Sequence, residues 1–306
     1  MFDILVRPVE DLVWNRTRWV DSIDTAMGGN GANTAIAAAL LGVPVRLIAP
    51  VGNDDFGQRA LEPLRAAGVD LSLLRRVEAA TPTTVVLVRA NGDRMFLHQP
   101  GASTDAFAEP LEFPSSISRG AGYFHLGNPF ALPNMRGNAA ATMRNARLAG
   151  LVASLDTGWD SRGRWLQDLG GALPHTDLLF VNEDEALHLS GCAGYRDAAM
   201  RLRELGASTV IVKRGASGCA VFGEACEFET PAFAVEAVDT TGAGDCFAGG
   251  YLAALARGAS QPEAARIANA AGALNVQHMG AIKGLKSWDE TMAWMESAPL
   301  CSLAGA

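Results

Sequence analysis

The 306-residue sequence is poor in cysteine, in charged residues and in long apolar runs. Its five cysteines are scattered, without a Cys-x-x-Cys pair or a Cys/His metal spacing, which argues against a disulfide framework or a zinc module. Only 19% of the residues are charged and the net charge is −8, without a Lys/Arg cluster, which argues against a nucleic-acid partner. A signal-peptide pattern and an apolar run of about 18 residues are also missing. These absences predict a cytoplasmic protein with reduced thiols and no membrane partner.

The residues that are abundant suit a large buried core. Hydrophobic residues make up 49% of the chain, and short apolar runs alternate with helical patterns. The runs are 46–51, 123–126, 151–155, 178–181 and 209–212; the helical patterns are 33–41, 57–67, 135–149, 183–189, 197–205, 245–256, 261–278 and 288–297. This alternation predicts an α/β fold in a single domain, 1–306, built on a doubly wound, mostly parallel sheet with flanking helices. Ligands of such sheets bind at the carboxyl ends of the strands.

A small second sheet is predicted from about 1–20 and 81–105. Residues 3–8 and 12–15 favour two short strands with a turn near Pro8. Two β-rich runs flank Asn91-Gly92, a pair that favours the positive φ angles of a tight hairpin turn. We expect this sheet to form a lid, with the substrate between it and the main domain.

The stretch around Asp245 carries the clearest chemistry. Gly242 and Gly244 let the backbone turn tightly and approach a ligand, because neither has a Cβ. The first amides of the following helix lack partners inside the helix, and the helix dipole makes that end attractive to an anion. Asp245 would lie beside this anion site, where a carboxylate can accept the proton of an attacking hydroxyl. Gly249 and Gly250 predict close packing of the helix on a sheet. An ordinary Gly-rich turn before a helix would look the same locally.

A second glycine-rich stretch, Gly28-Gly29-Asn30-Gly31-Ala32-Asn33, precedes an Ala/Leu-rich helical pattern. Gly29 permits close backbone approach, and Asn33 offers both a donor and an acceptor. That combination suits a polyol, whose hydroxyl groups need both. In isolation, a plain loop before a helix explains these residues equally well.

The two stretches together resemble the signatures of a known family. Asp239-Thr240-Thr241-Gly242-Ala243-Gly244-Asp245, followed by Phe247-Ala248-Gly249-Gly250, resembles the C-terminal signature of the ribokinase (phosphofructokinase-B) family of carbohydrate kinases. The Gly28–Asn33 stretch, about 210 residues earlier, is similar to the N-terminal signature. The resemblance covers nearly the whole chain. It implies a ribokinase-like fold, ATP as phosphate donor, Asp245 as the catalytic base and the amides of Gly242, Ala243 and Gly244 as an anion hole.

The resemblance also implies sites for metal ions. Asn182 and Glu185 match an Asn-x-x-Glu motif that positions Mg²⁺, its waters and the phosphates of ATP. An acid-rich helix start is the structural alternative, because the helix dipole alone favours acids there. Asp239 and Thr241 match positions that contribute to a monovalent-cation site, with K⁺ as the possible ion. Structural capping by these two residues is an equally good explanation.

The nucleotide site is implied by two further segments. Lys213, Gly215 and Gly218 lie in a segment, Lys-Arg-Gly-Ala-Ser-Gly, that follows a predicted strand and resembles the nucleotide loop of the family. Asn269 lies in a helical segment similar to the one beside the adenine, and we expect it to contact the base or the ribose.

On the substrate side, Asp3 matches the acidic residue that binds sugar hydroxyls, and Asn128 follows a predicted strand that ends at the same cleft. A turn cap is an equally good role for Asn128. The family usually has an apolar strand and a glycine before the acidic residue, whereas this sequence has Met1 and Phe2. Either the chain starts late or the sheet lacks a strand, and we expect a late start because a lost interior strand exposes apolar surface.

The sequence therefore predicts an ATP- and Mg²⁺-dependent kinase that phosphorylates a hydroxyl, most simply the primary hydroxyl of a sugar. Two alternatives stay open, namely a nucleoside kinase and a catalytically silent sugar or nucleotide sensor. A dinucleotide-dependent oxidoreductase is disfavoured, since no Gly-x-Gly-x-x-Gly follows the first strand. Relatives dimerise through the small sheet, and the apolar residues Leu12, Val13 and Trp14 could contribute to such a homodimer.

Overall fold

The computed structural model of the protein describes residues 1–91, 93–224 and 226–302. The strands are β1 (Phe2–Arg7), β2 (Ser22–Met27), β3 (Pro50–Gly52), β4 (Arg75–Val77), β5 (Thr83–Val88), β6 (Arg94–Gln99), β7 (Tyr123–Gly127), β8 (Val152–Asp156), β9 (Leu178–Asn182), β10 (Thr209–Lys213), β11 (Cys219–Phe222) and β12 (Glu227–Thr230). The helices are α1 (Asn30–Leu40), α2 (Asp55–Ala66), α3 (Ser115–Ser118), α4 (Met135–Leu148), α5 (Leu166–Leu169), α6 (Glu183–Ser190), α7 (Tyr195–Glu204), α8 (Ala243–Ala256), α9 (Gln261–Val276) and α10 (Trp288–Ser297). Within these residues, no helix is both long enough and apolar enough to cross a bilayer.

The main sheet has six strands in the order β12-β11-β10-β9-β8-β7. Strands β7 to β10 are parallel, and β11 and β12 add an antiparallel edge. Both faces are buried, since Leu179 and Val181 pack with α4, α6 and α7, whereas Leu178 and Phe180 pack with α8, α9 and α10. The predicted α/β sheet with helices on both faces is confirmed. The parallel strands all end at one edge, where the functional side chains gather.

At Gly249 and Gly250, helix α8 packs against the helices α1 and α9 and not against the sheet. A Cβ on Gly249 would lie 2.6 Å from the Cβ of Ala37 in α1, and a Cβ on Gly250 would lie 3.0 Å from the Cβ of Ala271 in α9. The prediction that these glycines pack on a sheet is therefore wrong. Their lack of a side chain instead lets two helices approach α8, and this brings the start of α1 beside Asp245.

The small sheet, called the lid sheet below, has the strand order β2-β1-β5-β6. The predicted hairpin is confirmed, because β5 pairs with β6 in antiparallel register; Gly92 of its turn lies outside the described residues. The strand expected at 12–15 is wrong, and the partner of β1 is β2, which carries the lid boundary beyond residue 20 to Met27. The exposed residues of β2 are mostly polar and give no alternating pattern, which explains why the sequence did not reveal it.

The strand expected at 46–51 is also wrong as part of the main sheet. Arg46 makes an isolated bridge to Asp70, and β3 forms a separate pair with β4. A cavity of about 1450 Å³ lies between this segment and β7, with apolar lining from Val45, Leu47, Phe124 and Leu126. Within the described residues β7 thus has a sheet partner on one side only, as expected if the sheet lacks a strand.

Candidate active site

The loop that enters α8 has the geometry that an anion hole requires. Gly242 caps the helix with φ 74°, a left-handed conformation, and a Cβ there would lie 2.6 Å from the Cβ of Ala281. Glycine is therefore needed for both conformation and space. The helix has no side-chain cap; the Ala243 amide donates to the Thr240 carbonyl at 3.2 Å, whereas the amides of Gly242 and Gly244 have no backbone partner among the described residues and are available to an anionic ligand. A Cβ on Gly244 would lie 3.1 Å from the Nζ of Lys213, which puts a positive charge beside these amides.

Asp245 is buried in the first turn of α8 and is oriented by two asparagines. Asn33 Nδ2 donates to Oδ2 of Asp245 at 2.8 Å, and Asn30 Nδ2 donates to Oδ1 at 2.9 Å. Asn128 Nδ2 in turn donates to Asn30 Oδ1 at 3.0 Å. Asn30 and Asn128 line the large cavity, whereas Asp245 is not part of its lining and is connected to it through the hydrogen bond with Asn30. Because a carboxylate oxygen can accept two hydrogen bonds, Asp245 retains acceptor capacity for a substrate hydroxyl.

The environment of Asp245 tunes its acidity. Burial, together with the nearby Asp156, raises the pKa of the carboxyl to about 6, while the hydrogen bonds from Asn33 and Asn30 limit the rise. A carboxyl with this pKa is ionised at neutral pH and is more basic than an exposed aspartate. Such a group suits a general base.

Three more charged residues lie close to one another at this edge of the sheet: Asp156 ends β8, Lys213 ends β10, and Glu185 follows β9 in the first turn of α6. Lys213 Nζ lies 2.6 Å from Asp156 Oδ2, and both side chains are largely buried. Burial alone would lower the pKa of Lys213, but the charges of Asp156 and Glu185 outweigh burial and raise it, so the lysine stays charged. Burial raises the pKa of Glu185, and the Lys213 charge offsets part of that rise. We call Asp156, Glu185, Lys213 and Asp245 the charge cluster.

Asn182 and Glu185 form a capping box on α6. Asn182 Oδ1 accepts from the Glu185 amide at 2.8 Å, and Glu185 Oε2 accepts from the Asn182 amide at 2.9 Å. The structural explanation is therefore sufficient for Asn182. Within the described residues, no group of three or more His, Cys, Asp and Glu side chains could by itself hold a metal ion. Contact of Glu185 with Mg²⁺ through water stays a prediction, and it suits an ion that keeps several waters.

The predicted nucleotide residues lie around the turn between β10 and β11. Gly215 and Gly218 both have positive φ angles, and the Arg214 amide donates to the Gly218 carbonyl at 2.7 Å. Asn269 is buried in α9, where its Nδ2 donates to the carbonyls of Thr230 and Pro231. This use of its amide nitrogen fixes the loop after β12. Contacts of these residues with ATP stay predictions.

Asp3 lies at the junction of the lid sheet and the Gly28–Asn33 stretch. Its carboxylate packs directly against Gly28, where a Cβ would collide with it. Burial raises the pKa of Asp3 to about 6, although the charged amino terminus lowers it. Among the described residues, Asp3 Oδ1 and Asn33 Oδ1 are buried acceptors without a hydrogen-bond partner. Sugar hydroxyls could donate to both, whereas an unfilled buried acceptor is costly.

Asp239 and Thr241 contact a residue that sequence reasoning missed. Arg94 of β6 donates from Nη2 to Asp239 Oδ1 at 2.9 Å and from Nη1 to Thr241 Oγ1 at 2.6 Å. Asn30 was missed as well, whereas Asp156 was considered as an acid at a strand end but was interpreted as a cap. Asn30 lies inside the glycine-rich stretch and Asp156 ends a core strand, so both positions carried a signal. Arg94 carried none, because it is one exposed charge on a hairpin.

An α/β sheet with a lid, and a buried carboxylate beside a lysine and a helix start without a side-chain cap, form an arrangement that suits a phosphotransferase of small hydroxyl-bearing molecules. The profile of the pfkB family carbohydrate kinases matches residues 4–288. Fructokinase-1 of Oryza sativa subsp. japonica is 31% identical over 288 residues, or 89% of each chain. An ATP-dependent ribose-1-phosphate kinase of Halopiger xanaduensis is 36% identical over 256 residues, or 83% of this chain and 81% of the relative. The solved structure of Arabidopsis thaliana ribokinase complexed with ribose and ATP has a TM-score of 0.84 at 28% identity over 96% of both chains.

The chain belongs to the pfkB family of carbohydrate kinases. The predicted family, the ribokinase-like fold and the enzyme class are thereby confirmed. The enzyme is an ATP-dependent kinase of a sugar or a nucleoside. The roles of individual residues stay predictions and are developed below.

The acidity of Asp245 predicts the pH dependence of catalysis. Since the base must be ionised, kcat/KM should be full above about pH 7 and fall as the pH drops through the pKa of about 6. ATP also titrates near this pH, so Asn30→Ala provides the control. Loss of the Asn30 hydrogen bond destabilises the carboxylate and raises its pKa, which should move the acidic limb to higher pH without affecting ATP. Identical limbs in both proteins would contradict the assignment.

Proposed function

We propose that Asp245 is the general base of a reaction that transfers the γ-phosphoryl group of ATP to a hydroxyl of a sugar or sugar-like substrate. One observation carries this proposal: a buried carboxylate with a raised pKa, held by Asn30 and Asn33, lies in the first turn of an uncapped helix beside Lys213. The carboxylate accepts the proton of the hydroxyl, whose oxygen bonds to the γ-phosphorus while the bond to the ADP oxygen breaks.

Charge on the moving phosphoryl group needs compensation from fixed donors. The amides of Gly242 and Gly244, together with the Lys213 ammonium, supply donors whose positions are fixed before the reaction, and the Ala243 amide would join them by leaving the Thr240 carbonyl. The charge cluster holds three carboxylates to one lysine, a donor set that suits a cation bound together with ATP. Mg²⁺ would be held near Glu185 and Asp156 and would neutralise phosphate charge. At Asp239 and Thr241, the predicted position of K⁺, the Arg94 guanidinium already donates to both side chains.

The substrate site is proposed in the cavity between the lid sheet and the start of α1. Gly29, Asn30 and Asn128 line it from the main domain, and Phe96 and His98 line it from the lid sheet. Asp3 and Asn33 adjoin the lining without being part of it, since Asp3 pairs with Thr84 and Asn33 lies between Ala32 and Thr34. Their unpartnered acceptors favour a substrate with several hydroxyl groups. We propose a primary hydroxyl as the acceptor. Relatives named for fructose and for ribose-1-phosphate leave the identity of the sugar to experiment.

A substrate panel tests this function. The purified protein is incubated with ATP and Mg²⁺ and, separately, with hexoses, pentoses, pentose phosphates and nucleosides, and ADP is measured. We expect saturable ADP production with one sugar-containing class, and production at least about 10²-fold slower with the Asp245→Asn variant, which controls for contaminating ATPases. Saturable binding of a sugar or of ATP without turnover would instead favour the sensor alternative. A cytoplasmic location stays a prediction.

We also propose a homodimer through the outer face of the lid sheet. Ile23, Val6, Leu87 and Met95 stand opposite one another in a row across the four strands, and Ile23 and Met95 are more than half exposed. Leu12, Val13 and Trp14 add exposed apolar surface nearby. Such a patch favours burial against a second copy. Ile23→Asp is expected to shift the sedimentation coefficient from dimer to monomer, and a wild-type monomer at all concentrations would contradict the proposal.

A further inference from the structure

Arg94 connects the lid sheet to the loop that forms the start of α8. Its guanidinium lies 2.9 Å from Asp239 and 2.6 Å from Thr241, which are 145 and 147 residues away in the sequence. On β6, Arg94 shares its face with Phe96 and His98, which line the substrate cavity. The contact therefore extends from the substrate side of the lid sheet to the loop before the anion hole.

Asp239 is the residue on which this loop is organised. Its carboxylate accepts from the Thr241 amide at 2.9 Å, the Thr241 hydroxyl at 2.7 Å and the Gly280 amide at 2.9 Å. Although burial raises the pKa of Asp239, these hydrogen bonds and Arg94 outweigh it and lower the pKa to about 2. The side chain is 1% exposed, so it is a buried charge at every working pH and needs a counter-charge. Within the described residues, Arg94 is its ion-pair partner.

Movement of Asp239 would move the anion hole. The loop from Val238 to Thr241 is bonded to the end of α9, through the Val276 carbonyl and through Asn275 Nδ2, which donates to the Thr241 carbonyl at 2.8 Å. Gly242 follows directly and packs on Ala281. Since this packing leaves no space for a Cβ, a shift of the loop is transmitted to the first amides of α8.

We propose that Arg94 is a positioning residue that ties the lid sheet to the anion hole, and that its guanidinium supplies the positive charge at Asp239 that a monovalent cation would otherwise supply. The inference rests on the proposed function. Turnover by this enzyme then needs no added alkali cation. In addition, one side chain fixes the position of the lid sheet relative to the phosphoryl site. Arg94 acts through Asp239 and Thr241 and does not touch the reacting atoms.

The first test compares Arg94→Ala with wild type in buffers whose cation is tetramethylammonium, Na⁺ or K⁺. Wild-type kcat should be the same in all three. The variant should lose about 10- to 100-fold in kcat in tetramethylammonium, because small displacements of catalytic groups have effects of this size. K⁺ or added guanidinium should restore part of the loss. Arg7→Ala is the matched control, because Arg7 forms an exposed ion pair with Asp24 on the same sheet.

A second measurement keeps the inference separable from the proposed function. Amide hydrogen exchange of 239–246 should accelerate in Arg94→Ala and remain unchanged in Arg7→Ala, whether or not a substrate has been found. Unchanged exchange in Arg94→Ala would show that the residue positions nothing. A wild-type enzyme that requires K⁺ would overturn the charge replacement. Absence of turnover with every substrate, together with accelerated exchange, would instead count against the kinase assignment alone.

Discussion

Replacing Asp245 by Asn will lower kcat by about 10²- to 10⁴-fold, which is the usual contribution of a general base. The amide has nearly the same shape but cannot take a proton from the acceptor hydroxyl. ATP affinity should change little, since the anion-hole amides and Lys213 remain. Steady-state kinetics on the active substrate of the panel, with ATP binding by calorimetry, measure both effects.

The fold should tolerate this change. Because the pKa of Asp245 is raised to about 6 in the folded protein, this residue contributes most to the free energy of unfolding at a pH below its pKa in the unfolded chain. That contribution is lost as the pH rises through 6. At pH 7 the Asn variant removes that cost, while one of the amide donors, Asn30 or Asn33, loses its acceptor. The two effects are each of order 1–3 kcal/mol and opposite in sign. Asp55→Asn, an exposed acid in the first turn of α2, is the matched control. Near-wild-type turnover by Asp245→Asn would remove the mechanism.

Replacing Lys213 by Met will lower kcat by about 10²- to 10³-fold, as loss of one fixed donor to a charged transition state does. The ammonium adjoins Gly244 and would stabilise charge on the phosphoryl group as it moves. Its removal leaves Asp156, Glu185 and Asp245 without their lysine. The pKa of Asp245 should then rise further, and the acidic limb of the pH profile should move upward with it.

A double variant separates catalysis by Lys213 from its structural role. Lys213→Met alone leaves Asp156 buried without its partner 2.6 Å away, and this unpaired charge will lower the thermal midpoint. In Lys213→Met/Asp156→Asn both charges of the pair are gone, so the thermal midpoint should recover. Turnover should not recover, because the phosphoryl group still lacks the ammonium and the proposed Mg²⁺ position has lost the Asp156 carboxylate. Recovery of kcat in the double variant would mean that the ion pair merely supports the fold.

The sequence predicted most of the main sheet, but it did not predict which segments pair as strands around the site. Parallel strands such as β9 and β10 were evident because both faces are buried and the apolar run is continuous. The apolar segment 46–51 gave the same signal, yet its side chains line a cavity and not the main sheet. Strand β2 was invisible because a polar strand can form wherever a neighbour offers hydrogen bonds. The pattern of apolar residues predicts which side chains are buried, but it does not predict which strands pair with each other.

For the site, the sequence found residues but not their contacts. Asp245 and Asn33 were each picked out from a local glycine-rich pattern, but their hydrogen bond spans 212 positions and depends on helix packing. The Asn182–Glu185 pair shows a different limit, since a capping box and a metal motif use the same residue types. The Arg94–Asp239 contact depends on where the lid sheet lies over the main domain, and no local pattern encodes that.

The contact of Gly249 with α1 has a consequence for how the family signature is interpreted. The Phe-Ala-Gly-Gly that follows Asp245 has no atom that could take part in phosphoryl transfer, yet Gly249 sets the spacing between the two helices that carry the base and its asparagine partners. The second part of this signature, which contains Gly249 and Gly250, therefore determines how closely the helices pack and not the chemistry itself. A single methyl group at that position would act on Asp245, about one helical turn away, without touching a reactant.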